Sequence, residues 1–153
     1  MAEPSHTVAD ILRVELSPHH LGDEGIRVCG TGGRDFTDRK FVWSKLDAFH
    51  TENVIREFGI GCALGVDASV LAWAEANDIP WQRYVADWDR WGTAGGSIRN
   101  IAMLEDFQPE VLLVFPGGVG TTHCARAARK RKIAREFFEV LSDDPFAEAI
   151  RWG

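Results

Sequence analysis

Residues 111–121 read Val111-Leu112-Leu113-Val114-Phe115-Pro116-Gly117-Gly118-Val119-Gly120-Thr121. Five consecutive apolar residues, mostly β-branched or aromatic, suit a strand covered on both faces, as in a parallel sheet. Pro116 and the glycines end the strand sharply. The next residues, Thr121 and Thr122 followed by Ala125, Ala128 and Arg129, read as the start of a helix with a hydroxyl at its cap. A tight turn needs only one glycine. Three in four positions leave backbone N–H groups bare at a helix start, where the positive end of the helix adds to their pull on an anion.

The same pattern recurs upstream. Twelve of the fifteen glycines fall in four groups: Gly30, Gly32, Gly33; Gly59, Gly61, Gly65; Gly92, Gly95, Gly96; and Gly117, Gly118, Gly120. Each follows a short apolar run, directly or after a few residues. Ile26–Cys29, Val54–Ile60 and Trp81–Ala86 read as strands before Val111–Phe115, and Arg135–Leu141 as a fifth after it. Helices fill the gaps: one capped by Asp38 with Phe41, Val42, Leu46 and Phe49 on a face, one capped by Asp67, and one capped by Ser97 that ends before Pro109. Strict alternation of strand and helix predicts right-handed crossovers and a parallel sheet between two helical layers.

Length and composition agree with one core. The chain has 153 residues, 45% hydrophobic and 26% charged, the mixture of a globular domain. No apolar run approaches the ~18 residues of a membrane span, and the first ten residues lack the basic and apolar regions of a secretory leader. The three cysteines, Cys29, Cys62 and Cys124, form no C-x-x-C and no zinc-finger spacing, so reduced thiols and a cytoplasmic location are expected. Seventeen basic against 23 acidic residues give a net charge of −6, which disfavours nucleic acid as a partner. The cluster from Arg126 to Arg135 lies toward the end of the last helix, where cations complement the helix dipole.

Several side chains fall at the carboxyl ends of these strands, where open parallel sheets bind ligands. Arg34 follows the first glycine loop and has the fork to hold phosphate or carboxylate. Asp67 and Asp87 end the second and third strand regions and can accept from ribose hydroxyls or act as bases. Arg99 and Asn100 are expected in the first turn of the third helix, where an arginine opposes the dipole and so suggests a ligand. Trp88 can stack on a base, while Trp91 reads as cover for the sheet edge. Trp43 and Trp73 read as core or partner surface, and the cysteines as small buried apolar residues. His6, His19 and His20 read as solvent-exposed.

Pro116-Gly117-Gly118-Val119-Gly120-Thr121 resembles the signature of the SLOG superfamily, which includes the lonely-guy phosphoribohydrolases and the DNA-processing protein DprA. Three further segments are similar to its YspA-like family: Thr31 to Asp38, Gly61 to Asp67, and Ala86-Asp87-Trp88 with Gly92, Gly96-Ser97-Ile98-Arg99-Asn100 and Met103. The resemblance spans residues 26–140. It implies a nucleotide-related ligand and a homodimer with a neighbour's residues entering the pocket. The family often has Pro where Ser97 stands and a basic residue where Leu64 stands. Arg99 with Met103 resembles the arginine element of lonely-guy enzymes, but their glutamate corresponds to Cys124.

The expectation is therefore an α/β, three-layer Rossmann-like domain over residues 26–141. Its parallel sheet has about five strands, ordered 3-2-1-4-5. An extension covers residues 1–25, with one short element around Val8 to Leu16, and a tail covers 142–153. The ligand is a nucleotide or nucleotide derivative, held by Gly32, Gly33, Arg34, Asp67, Asn100, Gly117, Gly118, Gly120 and Thr121, with Trp88 stacking. The protein acts as a sensor or sequestering module. Hydrolysis of an N-glycosidic or phosphoester bond, with Arg99 and Asp87 catalytic, is the alternative. A single-stranded nucleic-acid or protein-interaction module is the third. No cofactor, metal or membrane is implied.

Overall fold

The computed structural model describes residues 7–19 and 22–140. His6, His20, Leu141 and the 142–153 tail lie outside them. Thirteen elements follow in order: α1 (Val8–Ile11), β1 (Arg13–Leu16), β2 (Ile26–Thr31), α2 (Arg39–Glu52), β3 (Ile55–Ile60), α3 (Val66–Ala76), β4 (Trp81–Val85), α4 (Trp88–Trp91), a 3₁₀ turn (Gly92–Ala94), α5 (Gly95–Phe107), β5 (Val111–Val114), α6 (Val119–Lys130) and β6 (Ala134–Phe137). The sheet has six strands in the order β1-β4-β3-β2-β5-β6. Every pair is parallel except β1 on β4.

This corrects the expected count and order. The segment expected as an extension contributes β1, which pairs antiparallel along β4 from Arg13↔Val85 to Leu16↔Gln82. Its pattern was too short and too polar to stand out. Glu15 faces Arg83 as an ion pair, a cross-strand match that only the paired strand reveals. The last strand is also shorter than expected and ends at Phe137.

The sheet separates two apolar layers. On one face α2 and α3 bury Val42, Leu46, Val70 and Trp73 against Val28, Phe58, Ile60, Leu113 and Phe115. On the other, α5 and α6 bury Met103, Leu104, Phe107, Cys124 and Ala128 against Cys29, Tyr84, Leu112 and Val114. The alternation of β5 explains the split, since Leu112 and Val114 face one layer and Leu113 and Phe115 the other. This is a three-layer α/β architecture of Rossmann-like kind.

Helix starts follow expectation at Asp38, whose carboxylate accepts from Phe41 N at 3.1 Å. Elsewhere they shift upstream. α3 is capped by Gly65, α5 by Ala94 and α6 by Gly118, none with a side-chain cap bond. Asp67, Ser97, Thr121 and Thr122 thus lie inside their helices, and Arg99 sits in the second turn of α5. In each case the glycine-rich loop winds into the helix before the expected cap is reached.

A polar chain crosses the otherwise apolar α5 side. Arg27 donates to the Phe107 carbonyl and faces Glu57 at 3.4 Å. Gln82 donates to Glu57 at 3.1 Å. The fully buried Tyr84 donates to Asp106 at 2.6 Å and lies 3.1 Å from Gln82 Oε1. Burial and the Asp106 carboxylate hold the Tyr84 phenol neutral, far above its ordinary range. Tyr84→Phe therefore leaves Gln82 and Asp106 short of a partner without opening a cavity. It is expected to lower stability by about 1–2 kcal/mol in urea unfolding.

Candidate functional site

The cleft opens where the strand order reverses, between β2 and β5. Thr31 pairs with Val114, so the loops leaving these strands start side by side. The Gly33 peptide joins them. Its N–H donates to Pro116 O at 2.8 Å, and its carbonyl accepts from Val66 N at the start of α3 and from Phe36 N, each at 3.2 Å. Such contact tolerates no side chain. A Cβ on Gly117 would lie 2.6 Å from Gly33 N and 2.0 Å from Thr121 Oγ1, and one on Gly65 would lie 2.3 Å from Gly33 O. Gly65 also has φ +73°, outside the range of an L side chain.

The resulting cleft has a volume of about 740 Å³, large enough for a nucleotide-sized ligand. One wall is Gly32, Gly33 and the exposed Arg34, which makes no ion pair with any described residue. A second is the start of α6 from Gly117 to Thr121. The third is Trp88, half-exposed, with its ring against Gly95 and Gly96. Asp67, Arg99, Asn100 and Met103 form the floor.

The α6 wall suits an anion. The first intrahelical bond of α6 is Thr122 N to Gly118 O, so the amides of Val119, Gly120 and Thr121 precede the hydrogen-bonded ladder. Gly118 and Gly120 differ from Gly117, because a Cβ on either would meet nothing within 4 Å, and neither has a positive φ. Protein packing does not demand glycine there.

The floor carries buried charge. Asp67 is 6% exposed and accepts from Ala63 N at 3.0 Å. Arg99 is 8% exposed, donates to Asn100 Oδ1 at 2.9 Å and points Nη1 at Cys62 Sγ, 3.1 Å away. Asp67 Oδ2 and the Arg99 guanidinium both close on Gly61, where a Cβ would lie 2.6 and 2.9 Å from them. Burial raises the Asp67 carboxyl above its ordinary value, against the pull of Arg99 and of the Ala63 N–H. A carboxylate kept in a cleft against its own solvation is the kind of group function retains.

The structure brings together Gly32, Gly33, Arg34, Asp67, Trp88, Arg99, Asn100, Gly117, Gly118, Gly120 and Thr121. Asp87 is not among the lining residues. Contrary to the sequence reading, it caps α4, accepting from Arg90 N at 3.0 Å. Cys124 lies fully buried beneath α6, and burial pushes its thiol up to about 11, so it stays protonated at neutral pH. Sequence reasoning missed Gly61, which lets Asp67 and Arg99 approach, and Met103 as floor. Arg126, Arg129, Lys130 and Lys132 are exposed and Arg131 pairs with Glu105; none lines the cleft. No group of acidic, His or Cys side chains among the described residues is arranged to hold a metal. None of their helices is long and apolar enough to cross a membrane.

An open α/β sheet with a glycine-lined cleft wall and a buried arginine on the cleft floor is of Rossmann-like class. Comparison with known families matches residues 26–91 to the YspA, cpYpsA-related SLOG family. The chain is also 36% identical over 115 residues to the gene 61 protein of Mycobacterium phage D29, covering 70% of this chain and 91% of the phage protein. The chain belongs to the YspA, cpYpsA-related SLOG family. Membership suggests a nucleotide-related ligand-binding or processing role.

Because the folded-state value of Asp67 is raised, ionising it disfavours the folded protein. Its favourable contribution is complete below the unfolded value, near 3.8, and fades as pH rises through the raised one. Asp67→Asn keeps an acceptor for Ala63 N–H and removes the charge. The variant is expected to gain stability relative to wild type as pH rises across that window, measured by urea unfolding at a series of pH values. A constant difference would show that Arg99 offsets burial completely.

Proposed function

We propose that the protein binds a nucleotide or nucleotide-derived ligand in this cleft, as a sensor or sequestering module. The carrying observation is the pair Gly118 and Gly120. Glycine at these positions satisfies no contact and no φ of the folded chain, yet it costs backbone entropy on folding. What it supplies is an unobstructed row of amide donors at the positive end of α6. A phosphate there is bound by those amides and by the Thr121 hydroxyl. Arg34 closes on it from the opposite wall.

The remaining groups fit the rest of such a ligand. Asp67 and Asn100 can accept from or donate to ribose hydroxyls, Arg99 neutralises charge near the floor, and the half-exposed Trp88 ring offers a face for a base. The cytoplasm, where nucleotides are abundant, is the proposed compartment. A homodimer is also proposed. Trp88 and Val119, both well exposed on the cleft walls, and Leu64, exposed in the adjoining β3–α3 loop, leave an apolar rim of the sort that partner surfaces cover.

Hydrolysis of an N-glycosidic or phosphoester bond is a second reading, favoured by Asp67 and Arg99 on one floor. Its acid would be Asp67 rather than Asp87, and the protonated, buried Cys124 supplies none. Single-turnover product formation from nucleoside 5′-monophosphates, abolished in Asp67→Asn, would establish it.

Gly118→Ala and Gly120→Ala separate ligand binding from folding. Gly120→Ala is expected to keep or slightly raise the melting temperature and Gly118→Ala, at the helix cap, to lower it slightly, while each weakens binding of nucleoside monophosphates about tenfold or more, roughly 1.4 kcal/mol, by calorimetric titration. Wild-type affinity in both variants would remove the anion wall from the site.

A further inference from the structure

The Trp88 wall stands on a weak element. α4 has four residues and buries none of them, and so short a helix does not hold itself by its own ladder. Gly92, which follows it, has φ +58° and open space around its Cβ position. Apolar packing on α4 itself therefore leaves the wall loosely fixed.

Two side chains of α4 reach outward to the start of the chain. The Arg90 guanidinium donates to the Asp10 carbonyl, and Trp91 Nε1 donates to the Ile11 carbonyl at 3.2 Å. Arg90 also stacks on the Trp91 ring at 4.5 Å. The segment they grip is itself anchored. The Asp10 carboxylate accepts from Thr7 N at 2.9 Å and Thr7 Oγ1 at 3.1 Å at the start of α1, Leu12 is buried in the α5 layer, and β1 runs along β4. Beyond β1, Ser17 Oγ accepts from Trp81 N at 3.0 Å. β4 leads directly through Asp87 into α4. The N-terminal segment thus holds both the strand that delivers the wall and the helix that carries it.

We propose that residues 7–16 form a strap that is a working part of the cleft: through Arg90 and Trp91, which act as positioning residues, they fix where the Trp88 ring stands. Neither Arg90, Trp91 nor any of residues 7–16 lines the cleft itself. The effect on ligand affinity rests on the nucleotide-binding reading above, whereas the position of the wall does not.

Hydrogen exchange of the ligand-free protein tests the position. In the double variant Arg90→Met/Trp91→Phe, which keeps an aromatic ring at 91 but loses both donors to the strap, amides of residues 88–96 are expected to exchange about tenfold faster. Those of residues 119–130 are expected to stay as in wild type. Arg90→Lys, which keeps a cation within reach of Asp10, should stay near wild type. Unchanged exchange at 88–96, or equal acceleration at 119–130, overturns the proposal.

Titration with adenosine 5′-monophosphate tests the consequence. The double variant is expected to lose affinity in the same direction as Trp88→Ala. Weakening by Trp88→Ala alone, with the double variant at wild-type affinity, also overturns the proposal. If the wild type binds no nucleoside monophosphate, the nucleotide reading fails. The strap is then decided by exchange and by acrylamide quenching of the Trp88 fluorescence, taken as wild type minus Trp88→Phe, which should rise in the double variant.

Discussion

The peptide of Gly33 links three strand ends through two partners: Pro116 after β5 and Val66 at the start of α3. Everything in the cleft depends on that junction. It brings the β2 loop within van der Waals contact of Gly117, which fixes the distance between the Arg34 wall and the start of α6. It also seats Val66 against Gly32, which sets where α3 begins and hence where Asp67 stands on the floor. Two backbone hydrogen bonds of ordinary strength do this because the close approaches at Gly32, Gly65 and Gly117 leave the loops little room for another arrangement.

Charge in the cleft is arranged in depth. Arg34 is exposed at the lip, where solvent screens it, while Arg99 and Asp67 sit in surroundings where charge interactions are stronger. Arg99 is held by Asn100 and by Cys62, whose sulfur also accepts from Ala86 N at 3.2 Å. The end of β3, the end of β4 and α5 are thus tied through one sulfur, that of Cys62. A ligand that engages Arg99 touches a group already connected to three elements.

Much of this was legible in the sequence, for identifiable reasons. β5 and its glycine loop were readable because a strand covered on both faces is apolar throughout and a turn rarely needs three glycines. That Arg99, Asp67 and Thr121 converge on one cleft was readable because strand ends converge in any open parallel sheet. β1 was readable only as a short element around Val8 to Leu16, not as a sheet strand, since its four residues gain backbone partners only from β4. Asp87 misled because a cap on a four-residue helix leaves no periodic pattern after it. The distinction between Gly117 and its neighbours Gly118 and Gly120 also lay beyond the sequence, because it depends on what each Cβ would strike.

The strap has a consequence for how the chain reaches its final form. Asp10 and Arg90 are 80 residues apart in sequence, and β1 has no partner strand until β4 has been made. During synthesis α1 and β1, made before the rest of the sheet, therefore dock late. Closing so long a loop is slow compared with the local pairings of β2, β3 and α2. The remainder of the sheet can assemble first, with β4 as a temporary open edge, and residues 7–16 then seal it.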